Sequence, residues 1–590
     1  MQTVQIQLSP RESVNDASIR AAAAAALGLP VNELRFFRIK KRSVDARQRN
    51  IKVLLTLDVL TSPLNEASPL SETLKPLLLQ DVHHASRQVI IIGAGPAGLF
   101  AALTLIEHGI KPIVLERGKD VSARKRDIAA LNKNEGLNDD SNYCFGEGGA
   151  GTFSDGKLFS RSKKRGDMQR VLQIFHIFGA DDNVLYETHA HIGSDKLPAI
   201  IRRMRETIIE KGGEIHFGEQ VVGITYQSES VPNLSELSVS TAAGHSYQGE
   251  AAIVAIGHSA HDTYRMLADA GLALEPKGFA LGVRVEHSQS LINRLMYHLQ
   301  LPSLPTATHG IAYHISNTTA SHRQTADKNN NCQSTLVNYL GNASYSLLTH
   351  VTGRSVYSFC MCPGGHIVPA GSTKHSCVVN GMSASHRNSP FANSGIVVEV
   401  RPEDVLSAHD SPHARRVSDE NPSQNPILYT QATSDALRFL SWAEHVEQLA
   451  WIHGAKAAGQ PDSAIAPAQR LTDFVAGRQS TSLPSVSYLP GCVPSRLDCW
   501  LPQMIAARLR QAFLDFDRKY PGFLTNDAVI LGVESRSSSP VRICRDKETN
   551  KAFDQHGNLT NIYPAGEGAG YAGGITSSAL DGINTALQII

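Results

Sequence analysis

The sequence predicts an α/β chain: a Rossmann-like dinucleotide-binding domain, interrupted by a mixed α+β domain and preceded by a small α+β unit. Three observations carry this. The β-branched run Val89–Ile92 enters the turn Gly93-Ala94-Gly95-Pro96-Ala97-Gly98, and Leu99–His108 continues as a helix. A second strand, glycine-rich turn and helix occupy Ile562–Ile590. Between them, strand-like and helix-like segments alternate without an internal repeat, and 590 residues exceed a single core.

The expected divisions are 1–85, 86–280, 281–545 and 546–590, the second and fourth forming one domain. In the first, Thr3–Leu8 alternates like a strand. Val14–Leu27 is helical and stops at Gly28 and Pro30, and Arg35–Lys41 and Asn50–Val59 are strands joined near Asp45. This β-α-β-β order suggests a ferredoxin-like unit, and Thr61–Ser71 reads as a linker. Further on, helices are expected at Arg165–Gly179 and Asp195–Lys211. Strands are expected at Glu214–Phe217, Val221–Gln227, Leu237–Thr241 and Ala251–Ile256. Ser321–Gln333 and Ala408–Asn425 read as polar surface insertions.

The apolar fraction is 42% and the charged fraction 19%, ordinary for a globular chain. A formal charge of +1 provides no global field toward nucleic acid or membrane. Eight sparse cysteines without framework spacing fit a reducing compartment, so a soluble, cytoplasmic protein is expected. The Ala21–Leu27 stretch reads as a helix rather than a signal peptide. The apolar run Val89–Ile106 is long enough to imitate a membrane span, but its glycines and Pro96 fit a nucleotide turn better.

In that turn each glycine has its own task. Gly93 makes the tight bend, Gly95 lets a pyrophosphate approach the backbone, and Gly98 lets helix and strand pack closely. The helix start at Pro96 and Ala97 offers free N–H groups to the phosphates. Lys111–Leu115 forms the next strand and ends at Glu116, suited to both ribose hydroxyls, with Arg117 beside it. A carboxylate there disfavours a 2′-phosphate, so FAD or NAD is expected rather than NADP.

The far end of the chain decides between the two. Tyr563-Pro564-Ala565-Gly566-Glu567-Gly568, followed by Gly573-Gly574-Ile575 and a helix, resembles flavoproteins with the glutathione-reductase-type FAD domain. The resemblance implies that Glu567 bonds the ribitol and phosphate of non-covalent FAD. It also implies that the helix starting at Gly574 and Ile575 aims its positive end at the flavin pyrimidine. Val221 stands where such proteins bond adenine, and Ala255-Ile256-Gly257-His258 where the chain returns to the nucleotide, although Ile256 replaces the usual threonine. The fold class is therefore α/β, with a Rossmann-like FAD-binding domain of glutathione-reductase type, an inserted mixed α+β substrate domain and a small N-terminal α+β domain.

The loop Phe145–Leu158 is rich in glycine, and Gly148 and Gly149 let backbone N–H groups approach a planar or anionic ligand. Lys157 and Arg161 are candidates for stabilising charge on reduced flavin. Together with His189–Leu197, Gly257–Ala260 and Cys362-Pro363-Gly364-Gly365, this loop is similar to a bacterial family of FAD-dependent dehydrogenases. That resemblance covers most of the chain and supplies a cofactor, not a substrate.

Candidate catalytic residues are Cys362, His366 and Lys157. Cys360-Met361-Cys362 invites a thiol–disulfide reading, but its apolar neighbours Phe359, Met361 and Val368 favour inert core cysteines. His189 and His191 lack further ligands at diagnostic spacing, and no metal is expected. Gly454–Gly459 has the wrong spacing for a second nucleotide turn, so a reductant is the substrate itself, a protein donor or transiently bound NAD(P)H.

Arg35–Lys52 holds eight basic residues and one acid, with Phe36 and Phe37 among them. This composition suits RNA; it equally suits a solvated hairpin or one docked on the FAD domain, which we prefer. The expected function is an FAD-dependent oxidoreductase moving a hydride between flavin N5 and a small organic substrate. The alternatives are an RNA-associated or tRNA-modifying flavoenzyme and a non-catalytic flavin sensor or assembly factor.

Overall fold

The computed structural model describes residues 2–61, 74–159, 166–228, 237–299, 336–406 and 426–590. The two expected insertions, Arg161 and the linker beyond Thr61 lie outside the described residues.

Five parallel strands form the central sheet, in the order Ile562–Pro564, Ala251–Val254, Gln88–Ile92, Lys111–Glu116 and Glu214–Phe217. Helices cover one face, and an antiparallel meander with the helix His261–Asp269 covers the other, so its strands are continuous apolar runs rather than alternating ones. Val89, Ile90 and Ile91 are fully buried. Each such side chain contributes roughly 1.5–3 kcal/mol. The strand order brings the first and last segments of this domain onto one sheet. Above it, the helix Pro96–Glu107 packs against the C-terminal helix Ile575–Leu587 so closely that a Cβ at Gly582 would sit 2.1 Å from the Ala97 carbonyl oxygen. An antiparallel meander, Val221–Thr225, Leu237–Thr241 and Ser246–Gly249, lies beside the sheet. Its last strand, which the sequence pattern does not reveal, is polar and half-exposed.

The inserted domain is built on a seven-stranded mixed sheet. Its order is Leu348–Val351, Arg354–Cys362, Phe391–Val400, Phe279–Ser288, Val529–Glu534, Ala466–Arg470 and Cys492–Pro494. The helices Pro426–Trp451 and Gln503–Lys519 pack on it through Phe439, Phe513 and Phe516. A two-stranded neck, Leu274–Pro276 with Val541–Ile543, joins this domain to the parallel sheet. Gly454–Gly459 follows the long helix through a π-turn at Ile452–Lys456, with no strand before it.

The N-terminal unit has a three-stranded antiparallel sheet in which Lys52–Leu60 lies between Gln2–Leu8 and Phe36–Asp45. This is the split β-α-β half of the expected ferredoxin-like unit. No fourth strand joins it among the described residues. Its hairpin does not project into solvent. The Arg42 N–H donates to the Tyr186 carbonyl at 2.9 Å, Thr188 N–H donates back to Arg42 at 3.0 Å, and Ile51 joins the core of the inserted domain.

No helix among the described residues is long and apolar enough to cross a membrane.

Candidate functional site

A cavity of about 1330 Å³ runs between the parallel sheet, the inserted domain and the N-terminal hairpin. Pockets for a single small ligand commonly span roughly 300–1,000 Å³, so this one has room for more than one molecule. Its lining includes Gly93, Gly95, Pro96, Ala97, Glu116, Arg117, Gly149, Lys157, Val221, Gly257, Glu567, Gly574 and Ile575 from the sequence-derived set.

At the sheet end the glycines stand in different surroundings. A Cβ at Gly98 would stand 2.0 Å from the Gly93 carbonyl oxygen, so this residue serves close packing and not the cavity. At Gly95 the nearest atom to a Cβ is Gly149 Cα at 3.9 Å, leaving the backbone open to the cavity. Gly257, Gly573 and Gly574 likewise have nothing within 4 Å. The Gly148 N–H donates to the Ala94 carbonyl at 2.8 Å, which fixes the glycine-rich loop over the turn without placing Gly148 in the lining.

The organiser of that loop is Arg124, which the sequence does not single out. It is fully buried and donates to the carbonyls of Asn142, Tyr143, Gly146, Glu147 and Gly149 at 2.8–3.2 Å. Burial brings its pKa down to about 10, so it remains charged at neutral pH. An arginine inside an amphipathic helix carries no spacing signal of its own.

Glu116 is buried and accepts three backbone N–H groups, from Ala94, Gly118 and Gly146, each at 2.9 Å. Two carboxylate oxygens offer about four lone-pair sites, so capacity for a ribose hydroxyl remains. Arg117 is held by Asp140 and Asp262 at 2.7 and 2.9 Å and stacks on Phe145. Ser259 Oγ, buried in the lining, has no hydrogen-bond partner among the described residues. Open glycine backbone, a helix N-terminus, a ribose-type carboxylate and an unpaired hydroxyl form a donor set that fits a dinucleotide.

At the C-terminal end, the Gly566 N–H donates to Asp581 at 2.8 Å, and Asp581 pairs with Arg545. Gly566 thus shapes the turn while Glu567 reaches the cavity, 3.6 Å from His258 Nδ1. Lys277, another residue the sequence does not reveal, lines the same region; burial first, then Arg542, lowers its pKa to about 8.

The far end holds Lys157, His189, His191, Cys360, Arg387 and residues 42–44 and 46 of the hairpin. Lys157 Nζ donates to the Met361 carbonyl and lies 4.0 Å from the sulfurs of both Cys360 and Cys362. The pair was expected among apolar neighbours as core cysteines, and the structure sets a lysine ammonium beside both sulfurs. The neighbouring Cys362 thiol, then the charges of Lys157 and Arg284, bring the Cys360 thiol below its ordinary range against the opposing effect of burial. Cys362 moves the other way, raised by its bond to Cys360 and by burial. Of the two, Cys360 lines the cavity and Cys362 lies behind it. The candidate His366 is exposed at the start of the strand His366–Pro369 and is not among the residues lining the cavity. His191 Nε2 lies 3.1 Å from the Ser385 carbonyl, and burial lowers the pKa of both His189 and His191, favouring neutral rings.

The comparisons with known proteins agree with this geometry. Residues 86–130 match an FAD binding domain, residues 320–537 an FAD-dependent protein, C-terminal domain-like model, and residues 1–60 a domain of unknown function. An uncharacterized protein of Clostridium beijerinckii is 35% identical over 566 residues, covering 94% of this chain and 92% of its own. The chain belongs to the same family of FAD-dependent proteins. Among solved structures, CtdE in complex with FAD and its substrate overlaps 85% of this chain and 80% of its own at 10% identity and a TM-score of 0.28. The tetracycline destructase Tet(51) overlaps 53% and 58% at 12% identity and a TM-score of 0.24. Overlaps this loose say nothing about the chemistry.

Proposed function

We propose that this FAD-dependent protein is an oxidoreductase that moves a hydride between flavin N5 and a small organic substrate. The observation that carries the reading is the continuity of the cavity: the dinucleotide turn and the C-terminal helix start share it with a second compartment at Lys157, His191 and the hairpin. The parallel sheet, its antiparallel meander and the glycine–glutamate turn at Glu567 support a glutathione-reductase-type arrangement. In it, the Gly93–Gly98 turn and Gly149 hold the pyrophosphate, Glu116 the ribose, Val221 the adenine, and Gly574 and Ile575 the pyrimidine end of the flavin. When bound, FAD supplies two-electron chemistry at N5. The chain's own residues bind, orient and screen: the C-terminal helix dipole favours negative charge on the ring, and Lys157 adds a cation on the substrate side.

The basic hairpin is read as a wall of this compartment rather than an RNA surface. Arg42 pairs with Glu187 at 2.8 Å, and Arg38 with Asp58 at 2.8 Å, so part of its charge is matched within the protein. The decisive experiment is an anaerobic screen of organic donors, with NADH and NADPH included, following loss of the oxidised-flavin absorbance and release of product. Rapid bleaching by one donor class supports the reading. Bleaching by none, with the flavin still reducible by dithionite, would refute it.

A further inference from the structure

Cys360 occupies an unusual place on its strand. The pairing of Arg354–Cys362 with Phe391–Val400 slips between Phe359 and Cys362, and Cys360 adopts a left-handed backbone with φ of 56°. A bulge of this kind turns a side chain away from the regular ladder and is common beside active sites. Here the bulged residue is the cysteine in the cavity wall, and Cys362, two positions on, donates its thiol to the Cys360 carbonyl at 3.3 Å.

The surrounding charge leaves a place for an anion. Two cations approach the pair, Lys157 and Arg284, whose Nη1 donates to the Cys360 carbonyl at 3.3 Å, and Arg387 joins them through Asp155, which it shares with Lys157. Two carboxylates answer them. Asp155 lies 2.5 Å from Arg387 and 3.7 Å from Lys157, and Glu534 lies 2.8 Å from Arg284. With His189 and His191 favouring the neutral form, one positive charge is left over. Beyond Asp155, which Arg387 also holds, the two sulfurs stand next to Lys157, each 4.0 Å from its Nζ.

We propose that Cys360 and Cys362 are a redox-active dithiol in the cavity wall, which gives two electrons to the flavin as it closes to a disulfide. Cys360 is the thiolate and Cys362 keeps its proton, which passes with the electron pair to the flavin as the sulfur–sulfur bond forms. Two electrons pass to the flavin, reducing it; in the reverse direction reduced flavin opens the disulfide. The couple rests on the FAD-dependent reading for its electron partner, but the dithiol chemistry is measurable without flavin. A small thiol or disulfide is then the substrate class that the compartment at Lys157 serves.

The test uses the full-length protein, with and without flavin. Iodoacetamide at pH 6, followed by peptide mapping, is expected to label Cys360 at least about tenfold faster than the exposed Cys499, because the thiolate is the nucleophile. Lys157→Met is expected to abolish that advantage. Oxidised glutathione is expected to give an intramolecular Cys360–Cys362 disulfide, and Cys362→Ser to stop at the mixed disulfide on Cys360. Anaerobic addition of FAD to the reduced flavin-free protein is expected to bleach the flavin as two thiols are lost. Equal labelling of Cys360 and Cys499 in the wild-type protein would overturn the thiolate, with no variant needed. A wild-type protein that stops at the mixed disulfide would overturn the couple. Disulfide formation with glutathione but no bleaching of bound FAD would overturn the transfer to flavin. Failure to bind FAD at all would refute the flavin reading and leave the labelling result standing.

Discussion

Gly95→Val separates binding from folding. The Gly95 backbone, at φ of −78° and ψ of −175°, is extended and open to any residue. Its Cβ would meet only Gly149 Cα, at 3.9 Å. The fold therefore loses little: a poorer helix N-cap costs about 1 kcal/mol. The cavity loses much more, because the valine methyl groups take the space through which a pyrophosphate reaches the N–H groups of the helix start. Losing two hydrogen bonds to a charged group, each worth roughly 1.5–3 kcal/mol, weakens binding by about 3–6 kcal/mol, or roughly 10²- to 10⁴-fold in Kd. The assay is the ratio of flavin to protein absorbance after purification, followed by titration of the stripped protein with FAD. Gly98→Val is the contrasting variant: its Cβ collides with the Gly93 carbonyl oxygen at 2.0 Å and is expected to disrupt the fold. A folded Gly95→Val protein with full flavin content and wild-type Kd would refute the assigned phosphate site.

Three further outcomes follow from the same structure. Burial raises the pKa of Glu286 from 4.5 to about 7 despite its bonds to Ser487. The folded state thus holds a proton that the unfolded state has lost, and stability falls as pH rises through that window, by at most about 3 kcal/mol. Thermal midpoints should show Glu286→Gln gaining on wild type between pH 5 and 8; an equal pH response in both proteins would contradict this. Asp581→Asn breaks the buried pair with Arg545 and weakens the anchor of the Gly566 N–H, an expected loss of about 3–5 kcal/mol. A lower thermal midpoint together with faster FAD release would show it, and an unchanged midpoint would count against it. Glu187→Ala removes the partner of Arg42 at a half-exposed site, worth about 0.2–1 kcal/mol. Hydrogen exchange at residues 42–44 should quicken by at most about fivefold with the global fold intact; no change would mean that the backbone bridge alone holds the hairpin.

The nucleotide half of the site was legible in the sequence because its constraints are local. Gly93, Gly95 and Gly98 sit at fixed offsets between a strand and a helix, and Glu116 ends the next strand, so spacing alone assigns their tasks. The compartment at Lys157 was not legible, because its members meet only through the tertiary fold. Lys157 comes from a loop, Arg284 from one sheet strand and Cys360 from another, with no mutual spacing to read. The apolar neighbours of Cys360 in sequence suggested a raised thiol pKa, while its neighbours in space are cations. Arg124 and Lys277 escaped notice for the same reason, being single basic residues in unremarkable segments. The hairpin's docking was foreseen as one option, yet its place in the cavity wall follows from the backbone bridge to Tyr186 and Thr188, which no pattern in residues 35–52 encodes.

The choice of cofactor reflects how charge is arranged around Glu116. Three backbone N–H groups hold this carboxylate in place, and a 2′-phosphate brought against it would add repulsion. Arg117 is the adjacent candidate, but its guanidinium is divided between Asp140 and Asp262. Moving it to a phosphate would leave both acids without that partner. The ribose end therefore accepts hydroxyls, which both FAD and NAD offer. What separates those two is the other end of the cavity. The parallel sheet places the strand Ile562–Pro564 beside Ala251–Val254, and so carries Glu567 and the start of the C-terminal helix into the same cavity as the glycine turn. On the reading proposed above, a ligand touching both ends presents a ribitol to Glu567 and, to the helix start, a ring that gains negative charge on reduction. Nicotinamide loses its positive charge on reduction and gains nothing from a helix dipole aimed at it, whereas reduced flavin does.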